Sequence, residues 1–234
     1  HTTWLRPSLL GHVPLQAGFY MTDAYSLKPR GTPDFRSLDN QAWLGRPPAA
    51  LYARAAVGLQ VRFCDFTQVA ANAVDFHLGV RDAVLEGGVF RDFGINAVGA
   101  GTFGEEGIEA HLPYEPADER EITGRLRIAD NLIEDCANED WGGVPIMAGF
   151  VRDTAIEHNE INGTSYTGIS LGWGWTRTAN VMRNNRVHGN RLVRVALRTA
   201  DNAGIYTLSN QPGTVVSENV VLPIVMSPWV HDPD

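Results

Sequence analysis

Short apolar stretches that alternate with period two recur along the chain, and turn residues separate them. No stretch holds an i, i+3, i+4, i+7 apolar stripe for three turns, so the pattern predicts strands and not helices. Residues 153–175 (DTAIEHNEINGTSYTGISLGWGW) show the layout most fully. An apolar–x–x–Asn–x–apolar unit (Ile156, Asn159, Ile161) leads into a turn-rich segment (Asn162, Gly163, Thr164, Ser165). A glycine-led strand follows (Gly168, Ile169, Ser170, Leu171), then Trp173 and Trp175.

The unit repeats. From residue 59 onward we read Val61–x–x–Cys64–x–Phe66, Val84–x–x–Gly87–x–Val89, Ile128–x–x–Asn131–x–Ile133, Ile156–x–x–Asn159–x–Ile161, Met182–x–x–Asn185–x–Val187 and Val216–x–x–Asn219–x–Val221. The centres at 64, 87, 131, 159, 185 and 219 are 23, 44, 28, 26 and 34 residues apart. A basal coil of about 22–26 residues with variable loops fits every gap. The widest gap needs an insertion, placed at residues 101–121, which are rich in Gly, Pro and acids. Self-similarity of this kind signals a solenoid. At a tight bend Asn tolerates a left-handed backbone, and its amide can bond the Asn one coil above or below. The expected fold is all-β: a parallel β-helix, right-handed by the crossover rule, truncated at both ends. Residues 59–234 form its coils. Residues 1–58 form an irregular segment, rich in Pro and aromatics, packed on the helix or inserted in it, with short strands near Val13–Leu15 and Gly18–Met21.

Composition narrows the function. The net charge of −8 disfavours nucleic acid and anionic membrane as partners, and weighs against a polyanionic substrate unless basic residues cluster locally. No apolar run approaches the ~18 residues of a spanning helix, so no membrane insertion is expected. Two cysteines, Cys64 and Cys136, make no disulfide framework and read as buried free thiols. The 7 histidines show no ligand-like spacing, so neither metal nor cofactor is expected.

Coils of a β-helix stack about 4.8 Å apart, which turns sequence offsets into columns. Aligning Gly94, Gly143, Gly168 and Gly204 places Arg91, Asp140, Ser165 and Asp201 in one column. Asp140 and Asp201 would then lie two coils, about 9.6 Å, apart. That is at the upper edge of the carboxyl spacing of inverting glycosidases, about 6.5–9.5 Å, and too wide for the roughly 5–5.5 Å of retaining ones. Both aspartates also suit a plain turn-capping role. Glu160 is a further carboxylate candidate, although its place after the Asn159 bend fits a solvated face. Trp173 and Trp175 share one side of their strand. Facing out, they would make an aromatic ledge for sugar rings, extended by Tyr166 and Tyr206; facing in, they are core. His158 and His188 flank the Asn column facing out, and His158 is a candidate substrate contact. Arg120, Arg177, Arg194 and Arg198 are candidates for hydroxyl or carboxylate contacts.

These strings carry a family resemblance. Residues 139–175, 111–121 (HLPYEPADERE) and 201–214 (DNAGIYTLSNQPGT) resemble right-handed β-helix glycoside hydrolases of family 141, and more distantly the β-helix xylosidases of family 120. Residues 1–20 resemble a pre-helix segment of those proteins. The resemblance covers most of the chain; GWGW and DN-x-GIYTLSNQPGT are its specific part, and Asn-ladder units are generic to β-helices. It implies a secreted or periplasmic enzyme acting on plant cell-wall glycans, an α-L-fucosidase or xylanase, with a catalytic carboxylate at Asp201. It also implies continuation past Asp234 into a coil whose acid lies one coil, about 4.8 Å, beyond Asp201, a spacing better suited to retention. The partner expected is thus a poly- or oligosaccharide. A polysaccharide lyase and a non-catalytic glycan-binding β-helix are the competing readings, since one fold hosts all three. The lyase would want clustered Asp for Ca²⁺ and a basic catalyst, and Lys28 is the only lysine.

Overall fold

The computed structural model describes residues 12–14, 20–22, 44–103, 113–174, 176–199 and 202–224. Three six-stranded parallel sheets dominate. The first stacks Ala49–Ala53, Asn72–Phe76, Val98–Ala100, Ile146–Ala148, Ile169–Leu171 and Ile205–Thr207. The second stacks Gln60–Arg62, Val84–Glu86, Arg127–Ala129, Ala155–Glu157, Arg186–His188 and Val215–Ser217. The third stacks Asp65–Val69, Val89–Phe93, Leu132–Cys136, Glu160–Thr164, Arg191–Val195 and Val220–Ile224. The chain visits first, second and third sheet in turn and then returns to the first, an all-β path consistent with a β-helix. Among the described residues the only helical turn is a 3₁₀ turn at Glu119–Glu121. His12–Pro14, Tyr20–Thr22 and Leu44–Gly45 pair antiparallel, so the short early strands exist, shifted by a residue or two from expectation.

Inward columns hold the stack together. Val61, Leu85, Ile128, Ile156 and Val187 are in register across the second sheet and buried. Phe90, Ile133, Ile161 and Leu192 do the same across the third. Phe66 stacks on Phe90 at 5.1 Å between centroids. Each such side chain loses water on all sides, worth roughly 1.5–3 kcal/mol. The register corrects the second unit by one residue: Leu85, Gly88 and Phe90 occupy the positions read as Val84, Gly87 and Val89.

The bend between second and third sheets carries an asparagine ladder. Asn131 donates its amide to Asn159 Oδ1 (2.9 Å), Asn159 to Asn190 Oδ1 (3.0 Å), and Asn190 to Asn219 Oδ1 (2.9 Å). Gly88 N–H donates to Asn131 Oδ1 and extends the column downward. The rungs are separated by 43, 28, 31 and 29 residues. Asn185 is therefore not a rung. It sits at the bend that enters the second sheet, where it accepts from Thr154 N–H and donates to the Val151 carbonyl. The left-handed backbone also falls elsewhere than expected. The residue before each rung takes it: Gly87, Asp130, His158, Gly189 and Glu218, with φ between 54° and 64°. The asparagine is thus free to serve as the hydrogen-bonding member. Cys64 corrects a further expectation. It is exposed, with its thiol donating to the Arg62 carbonyl, whereas Cys136 is buried and burial pushes its thiol pKa upward.

Candidate active site

Strand pairing fixes the corner between third and first sheets. Phe93, Cys136, Thr164 and Val195 are equivalent at the end of the third sheet. Val98, Ile146, Ile169 and Ile205 are equivalent in the first. The corners 93–98 and 164–169 are short. The corners 136–146 and 195–205 are longer by the same five residues, and they lie two coils apart with a short corner between them. One holds Asp140 and the other spans position 201. Gly168 and Gly204 do stack, and a Cβ at Gly168 would meet the Gly204 carbonyl oxygen at 2.9 Å. Gly94 and Gly143 stand elsewhere in the register, because corner length varies. Ser165 is level with Ala137, whose carbonyl its hydroxyl reaches at 3.0 Å, and not with Asp140.

Asp140 is wedged into the longer corner. Its N–H donates to the Gly94 carbonyl at 3.0 Å, and its own carbonyl accepts from Gly143 N–H at 3.0 Å. Oδ1 accepts from Gly142 N–H at 3.0 Å, so the turn-capping role is real. Oδ2 is buried with no hydrogen-bond partner among the described residues, and the residue is 2 % exposed. Burial pushes its carboxyl up to about 6, opposed by the single Gly142 N–H. The corner is rigid beneath it. Asn96 Oδ1 takes Val144 N–H at 2.7 Å, and Asn72 Oδ1 takes Asn96 N–H at 3.2 Å. A carboxyl with one anchored and one unpaired oxygen, held near neutral, suits proton donation to a leaving group.

Next to it stands an aromatic that the sequence reading passed over. Trp141 is 47 % exposed, and the Arg198 guanidinium lies 5.2 Å from its ring centroid. The contact joins the two long corners across the short one. An exposed indole beside a buried acid offers a stacking face for a sugar ring. The signal in the sequence was its position, directly after Asp140 and before two glycines.

The other candidates fall as follows. Asp201 and Trp175 lie outside the described residues, as do residues 104–112 of the insertion. Trp173 is 7 % exposed and packs edge-on against Phe103 (5.9 Å, 81°), so it is core and not an open ledge. Tyr166 is buried in the same cluster, with Met147, Phe150 and Val144. Met147 lies on the face of the first sheet opposite the inward columns, so this cluster clothes that sheet from outside. Tyr206, half-buried, is in register with Ser170 and Met147 on that outer face. Glu160 begins its strand in the third sheet, at the far end from the Asp140 corner, and is half-buried and paired with Arg191 at 2.6 Å. His158 is on the ladder bend, 5.6 Å from the His188 ring and 3.8 Å from Asp130. Neither joins Asp140. Arg120 is tied to Asp118, and Arg194 donates to Asn162. Asp75 is a second buried carboxylate, on the outer face of the first sheet, and the sequence reading did not single it out. Its alternation within an apolar strand was the available signal. Both of its oxygens are taken by Arg46, at 2.5 Å each.

No protein-family model matches the chain, and no curated protein matches it. A solved structure named "Glycoside hydrolase" matches all of this chain at 44% sequence identity and a TM-score of 0.88. The chain spans 39% of that protein's length. In sequence and in fold, it is similar over its whole length to a part of a glycoside hydrolase.

Proposed function

We propose that this chain belongs to an enzyme that hydrolyses glycosidic bonds in plant cell-wall polysaccharide, of α-L-fucoside or xylan type, outside the cell or in the periplasm. In this reading its coils wind as a right-handed parallel β-helix related to family 141. Asp140 is the general acid that protonates the leaving oxygen, and Asp201 is the second carboxylate. Trp141 stacks against a sugar ring beside them.

The observation that carries the reading is the buried Asp140 carboxyl, with its unpaired Oδ2, in a chain 44% identical to part of a glycoside hydrolase. Two features support the pairing. The corners that hold positions 140 and 201 are of equal length, and they are two coils, about 9.6 Å, apart. The test is release of reducing ends from xylan and fucosylated cell-wall fragments by wild type and by Asp201→Asn. We expect the variant to lose at least 10²-fold in kcat, the scale of general acid–base catalysis. Turnover by the variant at the wild-type rate would remove Asp201 from the mechanism.

A further inference from the structure

A cleft of about 380 Å³ opens at the bend between first and second sheets, away from the Asp140 corner. Arg54, Arg81 and Arg120 line it together with Leu78, Asp118 and Glu121. Three separate chain segments meet there, and backbone bonds fix their spacing: Ala55 N–H to the Leu78 carbonyl (2.8 Å), Gly79 N–H to the Glu121 carbonyl (2.8 Å) and Arg81 N–H to the Ala56 carbonyl (2.9 Å). Gly79 is left-handed (φ 70°), and a Cβ there would stand 2.5 Å from the Arg120 carbonyl oxygen, so the wall is close-packed backbone.

The charges are unequally satisfied. Arg120 forks onto Asp118 (2.6 Å), and that contact first, with Arg81 adding through space, holds the Asp118 carboxyl down to about 2. Arg81 Nε is buried without a hydrogen-bond partner, and Arg54 is exposed with its side chain in no ion pair among the described residues. In a chain of net charge −8, two guanidiniums with no ion pair among the described residues in one preformed cleft are a local reversal of sign. Guanidinium forks match the two oxygens of a carboxylate. Asp118 and Glu121 alongside supply acceptors for hydroxyl donors. A small inorganic anion uses only the first of these features; a sugar acid uses both.

We propose that this cleft is a binding subsite for a uronic acid unit of a glycan, with its carboxylate on Arg81 and Arg54 and its hydroxyls toward Asp118 and Glu121. That the ligand is a glycan rests on the hydrolase reading above; that it is anionic does not. The test is calorimetric titration of the chain with trigalacturonate, with its fully methyl-esterified counterpart, and with sodium sulfate. The acid form binds, the ester binds about tenfold more weakly or worse, and Arg54→Gln and Arg81→Gln each cost about tenfold. Arg54→Gln removes an exposed side chain that makes no ion pair among the described residues, so it leaves folding intact even if Arg81→Gln does not. Binding also weakens as salt rises. Equal binding of acid and ester, unchanged affinity in Arg54→Gln, or binding of sulfate without trigalacturonate overturns the proposal. Because the readout is binding, a chain that hydrolyses neutral xylan yet ignores trigalacturonate refutes the subsite alone, and one that binds but does not hydrolyse refutes only the enzymatic reading.

Discussion

Moving a carboxylate from water into the corner at Asp140 disfavours its charged form, and one N–H at Oδ1 offsets only part of that. The consequence for stability has a definite sign. The folded pKa, about 6, is above the ordinary value of about 3.9, so the contribution to stability is fully present below pH 4 and is lost as pH rises through 6. The shift corresponds to about 3 kcal/mol. Asp140→Asn keeps an acceptor for Gly142 N–H and removes the charge. Urea unfolding at pH 4 and pH 8 should show wild type losing about 3 kcal/mol relative to this variant across that interval. Parallel pH dependence of the two would mean that Asp140 ionises like a surface acid. The thiols give a second test at this scale. Exposed Cys64 reacts promptly with a disulfide reagent in the native protein, and Cys136 reacts only on unfolding. Two fast thiols would contradict the placement of Cys136 in the core.

Among the elements, the asparagine ladder decides the register, and it also shows what the sequence could reveal. Ile156–Asn159–Ile161 was legible because its apolar flanks and its bend residue coincide. The next unit was not, because two overlapping strings satisfy the same pattern. Met182–Asn185–Val187 and Val187–Asn190–Leu192 both mark bends, and only pairing of Asn190 with Asn159 and Asn219 chooses between them. The adjacent glycines 87 and 88 hid the register of the second unit in the same way. Corner length was the other blind spot. Columns counted from a glycine assume equal corners, and the corners 136–146 and 195–205 are longer than 93–98 and 164–169. Asn159 is bonded on both sides of its coil and to the Ile128 carbonyl. Asn159→Ala leaves several buried polar groups unpaired, so a loss of about 2–4 kcal/mol is expected in chemical denaturation. A loss under 0.5 kcal/mol would show that the ladder is ornamental to the fold.

For the molecule as a whole, three parallel sheets give a scaffold whose corners vary while its strands do not, and the candidate chemistry sits where the corners lengthen. The sequence pattern was sufficient for the all-β class and the parallel stacking. It could not tell that Trp173 is buried under Phe103 while Trp141 is exposed, because period two assigns a face only relative to a strand and says nothing of a second layer outside it. The central claim is that Asp140 donates the proton in glycoside hydrolysis. It is tested most directly by the pH dependence of kcat/KM for cell-wall oligosaccharide hydrolysis, in wild type and in Asp140→Asn. The account predicts a wild-type rate that falls as pH rises through about 6, with a variant slower by at least 10²-fold that lacks this limb. A variant that retains both the rate and the limb would contradict it.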